Sequence, residues 1–116
     1  MTHEPRQFQV SAERLGASAL VAVEGELDIA TLPDFERAIT RMRSQGLERL
    51  VIDLRDVAFL DSMSIELLLR LHGELTAAGA GLVVVRGPRA VNRVFDLMEL
   101  DRVLNLVDEP PDLTQS

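Results

Sequence analysis

Apolar residues along this chain follow two rhythms. Short runs rich in β-branched residues recur at SALVAVEG (18–25), RLVIDL (49–54) and LVVVRG (82–87), and each reads as a strand. Phe8 to Ala12 forms a weaker strand, with Gly16 and Ser18 marking the turn of a hairpin. Between the runs the period lengthens to that of a helix. Thr31 is placed as an N-cap, with Pro33 in the first turn and Asp34 at the third position after the cap. Leu32, Phe35, Ala38, Ile39 and Met42 follow as its buried stripe, and Gly46 closes it. A second helix starts at Ser62 and carries Ile65, Leu67, Leu68, Leu69, Leu71 and Leu75, apolar over most of its circumference. A third opens at Pro88, with Val91, Val94, Phe95 and Met98 as its stripe. Val103 to Val107 reads as a last short strand, and the polar DEPPDLTQS as a frayed tail. The order β-β-α-β-α-β-α-β predicts an α/β domain, a sheet with helices packed on it.

One junction stands out in FLDSMSIELLLRL (59–71). Phe59 and Leu60 continue or restart the strand of residues 49–54, and Asp61 and Ser62 sit where strand gives way to helix. The simplest role for either side chain is to cap the helix, worth about 0.5–2 kcal/mol. The other possibility is that something acts on the serine.

Composition narrows the choice. A chain of 116 residues is one domain of ordinary size. It has no cysteine, so disulfides and thiolate metal sites are excluded. It has no Trp or Tyr, and its 12 cationic side chains are all arginine against 19 acids, a net charge of −7. An acidic domain without a basic run or aromatic platforms is a poor nucleic-acid binder and a poor ligand for anionic lipid. No apolar run approaches a membrane span, and the N-terminus lacks a signal-peptide layout, so a cytoplasmic protein without direct membrane insertion is expected.

No enzyme chemistry emerges. His3 and His72 have no spacing that would make them metal ligands, and His72 reads as a partly buried helix residue. Ser62 lacks the glycines of a nucleophile elbow, and there is neither a phosphate loop nor a dinucleotide fingerprint. The GELD turn places Glu26 and Asp28 two apart, most simply as solvated turn residues. No catalytic residue, metal or cofactor is expected.

Three segments taken together change the weight of the evidence at Ser62: VEGELDIAT (23–31), LVIDLRDVAFLDS (50–62) and GLVVVRGPRAVNRVFDLMELDRVL (81–104). In this order and spacing the chain resembles the STAS family, most closely the bacterial anti-sigma-factor antagonists. The resemblance implies a single STAS-like domain over residues 1–116, with an ordered core of about 7–108, a flexible tail at 109–116, and a mixed, mostly parallel sheet with helices packed on it. It implies a partner switch. Unphosphorylated, the protein binds an anti-sigma factor with serine kinase activity and frees the sigma factor. Phosphorylation on the serine after the strand-exit aspartate, here Ser62, turns binding off, and a serine phosphatase resets it. Nucleotide belongs to the kinase.

Family members usually carry a second Ser or Thr and then Gly after this serine, whereas this chain reads Met63, Ser64, Ile65, Glu66. Ser64 thereby becomes a rival acceptor, Met63 a determinant of partner choice, and Glu66 a like charge one turn from a phosphate on Ser62. The expected partner face comprises Glu26, Asp28, Asp61, Ser62, Met63, Glu66 and Arg70. The alternative is a constitutive STAS subunit of a transport or scaffold complex, independent of Ser62. An enzyme using Ser62 is the weakest reading.

Overall fold

The computed structural model describes residues 8–114, so His3, the start of the expected core at residue 7 and the last two tail residues lie outside the description. The elements are β1 (Gln9–Leu15), β2 (Ser18–Leu27), α1 (Leu32–Arg43), β3 (Arg49–Leu60), α2 (Ser62–Ala77), β4 (Gly81–Val85), α3 (Arg89–Leu97), a 3-10 turn (Leu100–Arg102) and β5 (Asn105–Val107). They form one five-stranded sheet in the order β1-β2-β3-β4-β5. β1 and β2 make the expected antiparallel hairpin, and the other neighbours pair parallel.

This topology fixes where the helices go. Parallel crossovers are right-handed as a rule, and here each steps in the same direction across the sheet, which places all three helices on one face. The main core confirms it: Val21 and Val23 of β2, Leu50, Ile52 and Leu54 of β3 and Val84 of β4 join Phe35, Leu68 and Phe95 from the three helices. Residues one position out of phase, Val51, Val83 and Val85, form a separate small cluster on the other face. Arg14 of β1 closes the end of α1, its guanidinium donating to the carbonyls of Met42 (3.0 Å), Gln45 (3.2 Å) and Gly46. Those carbonyls have no partner within the helix.

Several expectations need correction. β1 runs three residues beyond Ala12, to Leu15, and most of it is exposed, which is why its apolar pattern is faint. Met98 is 51% exposed, because α3 ends at Leu97 and Met98 is already its C-cap. Val103 ends the 3-10 turn and is not part of β5. Within the described residues the tail touches the sheet: Leu113 packs onto the helix-free cluster, and the Asp112 carbonyl accepts from Arg49 (2.9 Å).

β3 is the largest departure. It continues unbroken to Leu60 and slips twice against β2. Ala22 faces Asp53 but Glu24 faces Asp56, and Gly25 faces Val57 but Glu26 faces Phe59. Each slip adds one residue to β3, the defining feature of a bulge. The core-facing positions therefore run Leu50, Ile52, Leu54 and then Val57 and Leu60, while Phe59 turns outward and is 50% exposed.

Candidate functional site

The parallel strands β2 and β3 end side by side, and their exits carry the two loops singled out by sequence. In the first, Gly25 adopts φ +105°, a conformation that costs glycine least. The chain then folds into a tight turn around Asp28. Asp28 Oδ1 accepts from the backbone N–H groups of Ala30 (3.0 Å) and Thr31 (3.1 Å). Thr31 occupies the N-cap of α1, but its hydroxyl does not cap the helix. It donates backward to the Glu26 carbonyl (2.7 Å) and accepts from the Asp28 N–H (3.0 Å). The aspartate is thus a structural member of the turn, while Glu26 stands exposed beside it.

The second loop settles which side chain caps α2. Asp61 is the N-cap, extended in backbone, with its Oδ1 accepting from the Ser64 N–H (2.9 Å). Ser62 is the first residue of the helix and exposed, and among the described residues its hydroxyl makes no hydrogen bond. Ser64 is the opposite case. It is 1% exposed, and its hydroxyl lies 3.1 Å from the Leu27 carbonyl and 2.9 Å from Asp61 Oδ1. The Leu27 carbonyl also accepts from the Asp61 N–H (3.1 Å). Ser64 and Asp61 together therefore tie the start of α2 to the end of β2, and hold the two loops as one unit.

The expected site residues separate accordingly. Glu26, Asp28, Asp61, Ser62 and Met63 come together at the exits of β2 and β3, with Glu66 one turn further along α2. Arg70 lies eight residues from Ser62, about 12 Å along the helix axis. It faces Glu36 of α1 (3.4 Å) and Glu74 (3.8 Å), and lines the groove between α1 and α2. Two residues escaped sequence reasoning. Ile29 and Phe59 are 70% and 50% exposed at the same end of the sheet, and with Met63 (44%) they give an acidic neighbourhood three large apolar side chains. The sequence signal for Phe59 was its place out of phase with Leu50, Ile52, Leu54 and Leu60, which alternation puts on the other face. Among the described residues no group of His, Cys, Asp or Glu is arranged to hold a metal, and no helix is long and apolar enough to cross a membrane. His72 is partly buried on α2.

Known proteins share this architecture. The anti-sigma-B factor antagonist of Staphylococcus epidermidis is 27% identical over 86 residues, which cover 74% of this chain and 80% of that protein. A crystal structure of an anti-sigma factor antagonist from Mycobacterium paratuberculosis superposes with a TM-score of 0.76 at 29% identity, covering 93% of this chain and 92% of that one. The phosphorylated form of the Bacillus cell fate determinant SpoIIAA has a TM-score of 0.66 at 19% identity, covering 89% and 93%, a likeness of fold. The STAS domain model matches residues 9–112, from the first strand into the segment that follows the last, and the chain belongs to the STAS domain family.

Proposed function

We propose that this chain is an anti-sigma-factor antagonist: a binding module that engages an anti-sigma factor with serine kinase activity, releases the sigma factor, and is switched off by phosphorylation of Ser62. The observation that carries the proposal is the division of labour at the start of α2. Asp61 does the capping, so Ser62 is left exposed with an unengaged hydroxyl. The names carried by the relatives support the role, and SpoIIAA has a phosphorylated form. Ser64 is the poorer acceptor, because its buried hydroxyl is already committed to Leu27 and Asp61.

The physics of such a switch follows from the position of Ser62. A phosphate brings about −1.5 to −2 charges at neutral pH. At the first position of α2 it meets the positive end of the helix and free N–H groups, so the helix tolerates it. The partner does not: the added charge joins Asp61, Glu26, Asp28 and Glu66 on one face, and a docked surface must desolvate and oppose all of them. Ile29, Phe59 and Met63 supply the apolar contact area of that face, while Arg70 sits at its rim. A phosphatase acting on the exposed serine resets the module.

The test is binding of purified kinase-type anti-sigma factors from the host genome to wild type, Ser62→Ala and Ser62→Asp. Wild type and Ser62→Ala bind alike, and Ser62→Asp loses at least tenfold in affinity. Equal binding of Ser62→Asp and wild type contradicts the switch and favours a constitutive transport or scaffold subunit.

A further inference from the structure

The helix-free face of the sheet poses a separate question. Val51 and Val85 are fully buried and Val83 nearly so, yet no helix among the described residues lies over them. The segment after β5 crosses this face. It leaves the β5 exit with Asp108 3.4 Å from Arg86, and Glu109 adds its charge to the field at Arg55. Further on, the Asp112 carbonyl accepts from Arg49 and Leu113 packs against the valine cluster, together with Leu20 and Val107. Thr114 folds back on the Asp112 carboxylate through its N–H (2.9 Å) and hydroxyl (2.6 Å). Beside it, a cavity of about 380 Å³ opens toward Leu15, Gly16, Ser18 and Glu48.

The attachment has a distinct chemistry. Pro110 and Pro111 have no N–H to give, so the strap cannot extend the sheet as a strand. It is held by the Asp108 carboxylate beside Arg86 (3.4 Å), by the Asp112 backbone carbonyl accepting from Arg49 (2.9 Å), and by one aliphatic side chain, Leu113. In a chain of net charge −7, Arg86 and Arg49 stand toward the two ends of the segment and an acidic stretch runs between them, while Arg55 is paired with Asp53 (2.9 Å).

We propose that this face is a second interaction surface, built for an acidic, proline-containing extended segment with an aliphatic anchor, and that residues 108–114 occupy it in cis. The segment is its own template for the ligand. Because no backbone ladder fastens it, it exchanges without unfolding the domain, and a segment of the same chemistry from another molecule competes for the place. This surface stands whether or not Ser62 is a switch.

The experiment uses the full-length chain and a fluorescent peptide of residues 108–116. The peptide binds the Leu113→Asp chain saturably by polarisation, whereas the wild-type chain, its site filled, binds at least tenfold more weakly. A peptide carrying Leu113→Asp binds the opened chain about tenfold more weakly than the native peptide, as expected for losing one partly buried leucine. Equal binding of both peptides, or none to the opened chain, overturns the proposal. If Leu113→Asp unfolds the chain, hydrogen exchange on wild type decides. Exchange at residues 112–114 much faster than in β3 and β4 supports a detachable strap, and exchange only together with those strands refutes it.

Discussion

Removing the Ser64 hydroxyl isolates the tie between the two loops. In Ser64→Ala, the Leu27 carbonyl keeps the Asp61 N–H and Asp61 Oδ1 keeps the Ser64 N–H, so no acceptor is orphaned. The cost is the net worth of one buried hydrogen bond shared with a carboxylate, about 1.5 kcal/mol, offset by about 0.5 kcal/mol of better helix propensity for alanine. A net loss of about 1 kcal/mol follows, which lowers Tm by roughly 4 °C in a domain of this size. Asp61→Ala removes the cap as well and leaves the Ser64 N–H without its partner, so it costs more, about 2 kcal/mol. Because the two side chains touch, the double variant loses less than the sum, with a coupling on the order of 1 kcal/mol. Urea unfolding of the four proteins measures this directly. An additive cycle, or a Ser64→Ala variant as stable as wild type, refutes the claim that Ser64 is a structural tie.

Three other outcomes follow from the backbone and the strap. Glu99 is held at φ 53°, ψ 41°, so Glu99→Gly relieves a left-handed strain of about 1–2 kcal/mol, less about 0.5–1 kcal/mol of unfolded-state entropy. Thermal melting should show a small gain in Tm, and a loss counts against strain there. A Cβ on Gly87 would meet the Leu54 carbonyl oxygen at 2.7 Å, so Gly87→Ala pushes α3 away from β3 and costs about 1–3 kcal/mol by denaturant unfolding; a neutral result contradicts close packing at that point. Hydrogen bonds from Thr114 and the charge of Arg49 hold the Asp112 carboxyl below the ordinary aspartate range. A depressed pKa stabilises the folded-back end above the unfolded-state value and loses that contribution as pH falls through the folded one. Protection of the Thr114 N–H, taken relative to the intrinsic exchange rate at each pH, should therefore fall on acidification through and below the usual carboxylate range, and a pH-independent opening equilibrium speaks against this anchor.

What the sequence made legible was local. The strands at 49–54 and 82–87 show as short β-branched apolar runs because their central residues are buried on both faces, and the helical stripes follow from periodicity. The junction at Asp61 and Ser62 was visible as a place, but not which side chain caps: both types suit the N-cap, and the choice rests on backbone conformation. Thr31 illustrates the same limit. It stands at the N-cap of α1, yet its hydroxyl serves the turn behind it, since the Glu26 carbonyl lies within reach. Val57 faces the core, out of step with Leu50, Ile52 and Leu54, only because β3 carries an extra residue against β2 just before it. Ser64 looked like a second surface hydroxyl until the end of β2 was found against it. The strap could not be read at all, since the contacts of Asp112 and Leu113 are with Arg49 and a valine cluster of β3 and β4, far back in the chain.

The central claim is that Ser62, and not Ser64, receives a phosphate. Protein from its own host, cleaved at arginine, yields a peptide spanning 56–70 that holds both serines, so fragment ions breaking the chain between residues 62 and 64 assign the site. The account predicts phosphate on Ser62 in a fraction of the molecules that changes with growth condition. Phosphate on Ser64, or an unmodified peptide under every condition, contradicts it.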